Sequence, residues 1–168
     1  MRVAGAAALA LVAGCLQSPP SGEPVPVFDA QVTPDATPCP PADGCVIDPA
    51  SGHTYAAFLA HRLWEDARQE CEDLGPGWYL ATDRNQVESV LIQGLLAEPV
   101  WIGASDKEVE DDWQWTTGES FGYTHWRTGE PNGETSANCL LANWEDEGWN
   151  DEGCATVWAY ACETGALN

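Results

Sequence analysis

Two short stretches of the chain carry oxygen-bearing side chains of the kind that bind a hard cation. The first is Glu-Pro-Asn at residues 130–132, and the second is Trp-Asn-Asp at residues 149–151. Calcium takes about six to eight oxygen ligands in irregular geometry, so carboxylates and amides presented by loops suit it. If the fold brings the two stretches together, they predict a calcium site built from Glu130, Asn132, Asn150 and Asp151.

Such a site can also recognise a sugar. Two neighbouring hydroxyls can each give a lone pair to the ion, donate a hydrogen bond to a carboxylate and accept one from an amide nitrogen. Taken alone, however, Glu-Pro-Asn is typical of a turn, and Asn-Asp after Trp is typical of a loop end. The surrounding fold must decide between these interpretations.

Both stretches lie in a long segment with little strand pattern. Residues 119–151 are rich in Gly, Asn, Glu and Asp, and a loop region of this length inside a compact domain is either functional or disordered. Several tryptophans in or around the segment favour order, because each buries on the order of 200 Å². Two of them are candidates for stacking on a sugar, Trp126 and Trp144.

The charge of the chain restricts its partners. Lys and Arg number 6 against 27 Asp and Glu, and the net charge of −21 repels nucleic acid and anionic lipid. With 44% hydrophobic residues and nine Trp, the composition is that of a folded protein. The acidic run at residues 106–112 is typical of a solvated loop.

The sequence shows no catalytic machinery. It has no nucleophile elbow, no HExxH pair and no glycine-rich phosphate loop. His53, His61 and His125 are scattered along the chain, and we interpret each as a packing or surface residue. We therefore expect a binding protein and not an enzyme.

The N-terminus has the features of an export signal. After a positive start, Val3 to Val12 forms an apolar run that is too short to span a bilayer. Leu-Val-Ala-Gly-Cys at residues 11–15 resembles a bacterial lipobox, which implies acylation of Cys15. We expect a signal peptide at 1–14 and a lipidated, Pro-rich linker at 15–38. The exported protein would be held at a bacterial outer membrane or cell surface by lipid alone.

Export also favours disulfide bonds, since the compartments outside the cytoplasm are oxidising. If Cys15 carries lipid, an even number of cysteines remains, and their spacing leaves every pairing open. They are Cys39, Cys45, Cys71, Cys139, Cys154 and Cys162.

Two amphipathic helices followed by short strands predict an α+β fold. The first helix is indicated by apolar residues at helical spacing: Trp64, Ala67, Cys71 and Leu74. The second runs from about Asn85 to Leu96 and opens on a capping box of Asp83 and Gln86. Its predicted buried stripe is Val87, Val90, Leu91 and Leu95. Strands are predicted at His53–Phe58, Val100–Gly103, Trp113–Trp115, Leu140–Trp144 and Val157–Cys162.

From Cys39 to Glu163 the chain resembles the C-type lectin-like domains, and its motifs stand in that family's order. Trp-Ile-Gly-Ala at residues 101–104 is similar to the buried WIGL core strand, residues 130–132 to the sugar-selecting EPN loop, and residues 149–151 to the calcium-binding WND strand. The resemblance implies two helices, short antiparallel sheets and a long loop region that binds calcium and sugar. Residues 164–168 are left as a tail.

The resemblance also implies the bonds and the ligands of this domain, 39–163. It pairs Cys71 with Cys162, Cys139 with Cys154, and Cys39 with Cys45. Its EPN order goes with mannose, N-acetylglucosamine, fucose or glucose rather than galactose. Because one shallow polar site binds weakly, glycans or glycoproteins would be held through several copies. The residues shared by Ca²⁺ and sugar would be Glu130, Asn132, Asn150 and Asp151.

Two features depart from the family pattern. Ala137 stands where the family commonly has a further Glu ligand, and Glu134 is the substitute available in the same loop. Asp106 and Glu110 match two ligands of an auxiliary calcium site, whose remaining positions differ. The missing Glu leaves a second hypothesis open, in which the domain is a calcium-independent scaffold for protein partners.

Overall fold

The computed structural model describes residues 37–144 and 148–166. The predicted signal peptide, Cys15 and the linker up to residue 36 lie outside the described residues. Within them are the helices α1 (Trp64–Asp73) and α2 (Gln86–Gln93) and a 3-10 turn at Glu134–Ser136. Neither helix of the described part has the length and apolar character needed to cross a bilayer. The strands are β1 (Gly44–Ile47), β2 (Thr54–Arg62), β3 (Trp78–Leu80), β4 (Val100–Ser105), β5 (Gln114–Trp115), β6 (Cys139–Trp144), β7 (Gly148–Glu152) and β8 (Trp158–Thr164).

The described strands join in one mixed sheet with the order β1-β2-β8-β4-β6-β7, to which β3 adds beside β8 and β5 beside β4. Strands β4 and β8 run parallel, with Val100 opposite Ala159 and Trp101 opposite Tyr160. The predicted α+β fold is confirmed. Its antiparallel pairs are joined through this parallel pair, because the last strand returns to the middle of the sheet between β2 and β4.

Strand β4 lies at the centre of the core, as the motif at residues 101–104 predicts. Trp101 and Ile102 are fully buried. Gly103 is required here, because a Cβ atom at this position would lie 2.5 Å from the Leu80 carbonyl oxygen. The close approach lets the Gly103 amide donate to the Ala81 carbonyl oxygen at 2.8 Å.

Disulfide bonds connect the described cysteines in the pairing that the family resemblance implies. Cys71 of α1 bonds Cys162 of β8 across a sequence separation of 91, and both side chains are fully buried. A second bond ties the start of β6 to the segment after β7, and a third closes a short loop that ends in β1. These two bonds are Cys139–Cys154 and Cys39–Cys45.

Helix α1 buries Trp64, Ala67 and Cys71 as predicted, but Leu74 follows the helix as its C-cap and is 36% exposed. Helix α2 differs from its prediction in both cap and face. Its cap is Asn85, whose side chain accepts hydrogen bonds from two first-turn amides at 2.9 and 3.1 Å, so the predicted capping box is wrong. With the helix starting at this cap, the predicted stripe points partly outward, since Val87 and Val90 are 59% and 57% exposed. The residues that α2 and its C-terminal end bury are Glu88, Ser89, Ile92 and Leu95.

Replacing Asn85 with Ala should destabilise the domain by about 1 kcal/mol, the usual cost of losing an N-cap side chain. This corresponds to a fall of about 4 °C in Tm, measurable by circular dichroism. Val87→Ala in the same turn is the control, because substitutions at exposed positions change stability by less than about 0.5 kcal/mol. An unchanged Tm for N85A would contradict the assigned cap.

A buried ion pair connects the start of β2 to the end of β8. The fully buried Glu163 carboxylate accepts from His53 Nδ1 at 2.6 Å and from the amide and hydroxyl of Thr82, each at 2.8 Å. The second ring nitrogen of His53 lies 3.1 Å from the Ala166 carbonyl oxygen. Because both neighbours are acceptors, both ring nitrogens donate and the ring is charged. His53 is therefore a packing residue, as predicted, that also carries a buried charge.

Both ends of the described domain contact the chain at the start of β2. Beside the His53–Ala166 contact, the hydroxyl of Thr54 donates to the Thr37 carbonyl oxygen at 2.5 Å. Consecutive residues at the start of β2 thus hold both the entry and the exit of the domain.

The stability contributed by His53 should fall as the pH rises. The hydrogen bond to Glu163 raises the pKa of His53 above its usual 6.5, so the stabilisation is complete below that value and is lost as the pH passes through the raised pKa. We expect His53→Gln to cost about 1.5–3 kcal/mol at about pH 6, as for other hydrogen bonds to charged groups, and less at about pH 9. Urea denaturation at both pH values measures this difference.

His61→Gln is the matched control, because His61 is exposed and lies 3.4 Å from the Glu98 carboxylate. Such surface pairs contribute less than about 1 kcal/mol. A cost of His53→Gln that is the same at both pH values would rule out the charged ring.

Candidate functional site

The structure brings the two oxygen-rich stretches into direct contact. Asp151 lies in β7, opposite Leu140 of β6. Its carboxylate accepts from the backbone amide of Asn132 at 3.0 Å and from that of Gly133 at 2.6 Å. The peptide bond between Glu130 and the next residue, which leads into this turn, is cis. Residues far apart in sequence thus share one hydrogen-bonded turn.

A cavity of about 480 Å³ opens beside this contact. Its wall contains residues predicted for the main calcium site and both residues predicted for the auxiliary site, so the two predicted sites share one space. Glu130 and Asn150 adjoin the wall as chain neighbours of wall residues. The lining residues are Asp106, Glu110, Asp111, Pro131, Asn132, Glu134, Thr135 and Asp151.

Negative charge accumulates at the cavity. Burial raises the pKa of Asp106, and the carboxylates of Asp111 and Asp151 add to the effect. Glu110 is exposed, yet desolvation raises its pKa, and so do the surrounding carboxylates, among them Asp106. For Glu130, burial raises the pKa first and the nearby Asp151 carboxylate second. Each of these groups would be ionised more readily if a cation lay among them.

Three side-chain oxygens on the loops that also carry residues of the cavity wall have no hydrogen-bond donor within the described part of the chain. They are Asp106 Oδ1, Glu130 Oε2 and Asn138 Oδ1, and all are buried. Buried acceptors are normally satisfied, so these atoms need a cation or water. The donor set consists of hard oxygens only and fits calcium in its chemistry.

The cavity is nevertheless not an assembled metal cage. Across residues 37–144 and 148–166, no three His, Cys, Asp or Glu side chains converge closely enough to hold a metal ion. The Asp151 carboxylate accepts from backbone amides, and the side-chain nitrogen of Asn150, Nδ2, donates to the Asp151 carbonyl oxygen at 2.7 Å. Cation binding would therefore require these side chains to exchange some of their present hydrogen bonds for the ion.

The loop is tightly packed where the family's Glu is missing. A Cβ atom on Gly133 would lie 2.0 Å from the Ala137 Cβ and 2.9 Å from Asp151 Oδ2. The 3-10 turn between Gly133 and Ala137 carries Glu134, which lines the cavity. Glu134 thus lies on the same cavity wall as Asn132 and Asp151.

The acidic run at residues 106–112 differs in part from the solvated loop that its composition predicts. Asp106 is only 3% exposed, and its second oxygen, Oδ2, accepts from the Asp111 amide at 3.0 Å. Asp111 has a positive φ of 65° and lines the cavity, a role that the sequence did not predict. The change of backbone direction at Asp111 carries no clear signal in the sequence, so composition alone missed it.

The two tryptophans suggested for sugar stacking pack against other rings. Trp126 lies 5.0 Å from Trp113 and 5.5 Å from Trp149, measured between ring centroids. Trp144 stands edge-on to Trp158 at 5.4 Å. Neither Trp126 nor Trp144 is part of the cavity wall. Both therefore contribute to packing.

Comparison with known proteins agrees with this architecture. The family model of the lectin C-type domain matches residues 61–164. The chain is 32% identical to a C-type lectin of Thrasops jacksonii, a lectoxin, over 121 residues, which cover 67% of this chain and 77% of that protein.

Among solved structures with the same fold, one is named as a calcium-independent protein and another as a carbohydrate-recognition domain. A calcium-independent type II antifreeze protein superposes with a TM-score of 0.68 at 27% identity, covering 77% of this chain and 95% of the other. The carbohydrate-recognition domain of the mouse scavenger receptor C-type lectin superposes with a TM-score of 0.66 at 26% identity, covering 77% and 98%. The match to the family model and the identity to the Thrasops jacksonii lectoxin show that this chain belongs to the C-type lectin domain family.

Proposed function

We propose that the domain is a calcium-dependent carbohydrate-binding module whose site is the acidic cavity beside β7. The observation that carries the proposal is the contact of the Asp151 carboxylate with the Asn132 amide at 3.0 Å, because it joins both oxygen-rich stretches at one cavity. The residues that would hold the ion are Glu130, Asn132, Glu134, Asn150 and Asp151. Asp106 and Glu110, on the same wall, are candidates for an auxiliary ion.

Calcium, when bound, supplies open coordination positions for two sugar hydroxyls. The chain supplies the hydrogen bonds that select the sugar. The Glu130 carboxylate would accept from one hydroxyl, and the side-chain amide of Asn132 would donate to it. The Asp151 carboxylate would accept from the second hydroxyl, and the side-chain amide of Asn150 would donate to it. In the order Glu-Pro-Asn this arrangement suits mannose, N-acetylglucosamine, fucose or glucose.

A calcium-independent interaction domain is the second candidate. Ala137 removes a ligand that the family commonly has, and the described side chains form no ready cage. The similarity to an antifreeze protein named as calcium-independent also favours this candidate.

Titration calorimetry on the purified domain separates the two candidates. We expect calcium binding at or below millimolar concentration, followed by mannose binding that a chelator abolishes and galactose does not reproduce. The absence of calcium heat at millimolar ion would reject the lectin proposal. Sugar or protein binding that survives the chelator would support the second candidate.

We also propose that the protein is exported and anchored by lipid at Cys15, on the basis of its N-terminal sequence. Because a single lipid-linked cysteine provides the membrane attachment, Cys15→Ser should move the protein from the membrane fraction to the soluble extracytoplasmic fraction. Fractionation and immunoblotting in a bacterial host measure this. Full membrane retention of the variant would contradict the anchor. On such a surface, several copies would raise the avidity for glycans.

A further inference from the structure

The strand that carries Asn150 and Asp151 is held in place through the residue before them, Trp149. The Trp149 amide donates to the His125 carbonyl oxygen at 2.7 Å, and its carbonyl oxygen accepts from the Arg127 amide at 3.0 Å. The backbone of Trp149 thus joins β7 to the loop that leads to Glu-Pro-Asn. Asp151, two residues further along β7, lines the cavity.

The ring of Trp149 is the centre of an aromatic cluster beneath the loops. It is 1% exposed. The surrounding rings lie 5.5 to 6.0 Å away between centroids, and most stand edge-on. Such edge-to-face contacts hold the ring in its pocket and favour its orientation, but they leave the buried indole N–H in need of an acceptor. The cluster consists of Trp115, Phe121, Tyr123 and Trp126.

The directional contact of this ring is its indole N–H, which donates to Asp83 Oδ2 at 2.8 Å. Asp83 is 1% exposed and also accepts from the Ser89 hydroxyl at 2.7 and 2.8 Å. The adjacent cation, Arg84, pairs with Glu88 and Glu119. Asp83 is therefore a buried carboxylate whose charge is stabilised by neutral donors.

Such a carboxylate costs folding free energy unless its hydrogen bonds compensate. Burial raises the pKa of Asp83 to about 6, while the bonds from Ser89 and Trp149 oppose the rise. A hydrogen bond to a carboxylate is stronger than one to a neutral acceptor. The buried Asp83 carboxylate is thus a strong, directional acceptor for the Trp149 indole N–H.

We propose that Asp83 is a positioning residue for the binding strand: by holding the Trp149 indole N–H, it sets the place of Asn150 and Asp151 at the cavity. The link runs from Asp83 through Trp149 to Asp151, and from there to the Asn132 amide. The inference rests on the proposed function in so far as it concerns calcium.

The test uses Asp83→Leu, which removes the acceptor and keeps the branched shape and number of side-chain heavy atoms, and Trp149→Phe, which removes the donor and keeps an aromatic ring. Both should weaken calcium binding about tenfold or more in calorimetry, as the loss of a supporting hydrogen bond does in other metal sites. Both should also shift the backbone amide resonances of Asn150 and Asp151 in NMR spectra recorded without calcium. Asp83→Asn, which keeps one acceptor oxygen, should restore most of the affinity and return the amide resonances of Asn150 and Asp151 towards their wild-type positions.

Asn85→Ala is the matched control, because it weakens the adjacent helix without touching Trp149. It should leave the calcium affinity and the indole resonance unchanged. Unchanged amide resonances and affinity in Trp149→Phe would overturn the proposal, and so would an N85A loss equal to that of D83L. If D83L does not fold, W149F and D83N decide the question. If the wild-type domain binds no calcium, the proposed function fails, and the resonances recorded without calcium still decide whether Asp83 positions the strand.

Discussion

Asp151→Asn is expected to abolish the calcium-induced rise in thermal stability. The Asp151 carboxylate is the group through which the two oxygen-rich stretches meet, and it lines the acidic cavity. At a calcium concentration of about one hundred times Kd, wild type should gain about 2.7 kcal/mol of unfolding free energy. The variant keeps one acceptor oxygen for the amides of the turn but loses the negative charge. Differential scanning calorimetry with and without calcium measures the response.

Glu152→Gln provides the control for this experiment. Glu152 is the next residue in β7, but its carboxylate accepts from the Gly153 amide at 2.8 Å and is not part of the cavity wall. It removes the same charge from the same strand, so its calcium response should equal that of wild type. A normal calcium response in D151N would show that the ligands lie elsewhere.

Removing the Cys71–Cys162 bond should cost about 4–5 kcal/mol of unfolding free energy, the largest effect that we expect on the fold. The sequence separation is 91 residues, and the stabilisation by a cross-link grows with the length of the loop it closes in the unfolded chain. A double substitution to Ala leaves no free thiol at these buried positions. Urea denaturation followed by tryptophan fluorescence measures the loss.

The bond between Cys39 and Cys45 is the internal comparison, because its sequence separation is only 6. The same relation gives about 2 kcal/mol for this short loop. Equal losses for the two double variants would show that chain entropy is not the origin of the difference.

The parts of the fold that followed from the sequence are those with a strong local pattern or a specific motif. Helix α1 repeats its apolar residues at helical spacing, and the motif at residues 101–104 combines a β-type run with a glycine that the packing requires. The pairing of the cysteines came only from the family resemblance, since spacing left every pairing open.

The sequence failed where tertiary contacts determine local structure. Val87 and Val90 suit a buried stripe, but the Asn85 cap and the burial of Ser89 and Ile92 turn the other face of α2 inward. Strands β1 and β3 are too short to show alternation, and they form because longer strands pair with them.

The candidate site shows the same limit. Motifs identified several of the residues that line the cavity. The burial of Asp106 and its position on the same wall as Asp151 depend on how two separate loops fold. No sequence motif marks Asp83 or Asp111. Asp83 follows a strand and looks like a helix cap in the sequence, and its buried contacts with Ser89 and Trp149 depend on the fold.

The attachment of both domain ends to consecutive residues at the start of β2 has a practical consequence for engineering. Thr37 and Ala166 contact neighbouring residues, so a short peptide could connect them and new termini could be opened in a surface turn. By the same geometry, the whole domain could be inserted into a surface loop of a host protein. Either design would leave the acidic cavity intact and would permit arrays of copies at a chosen spacing.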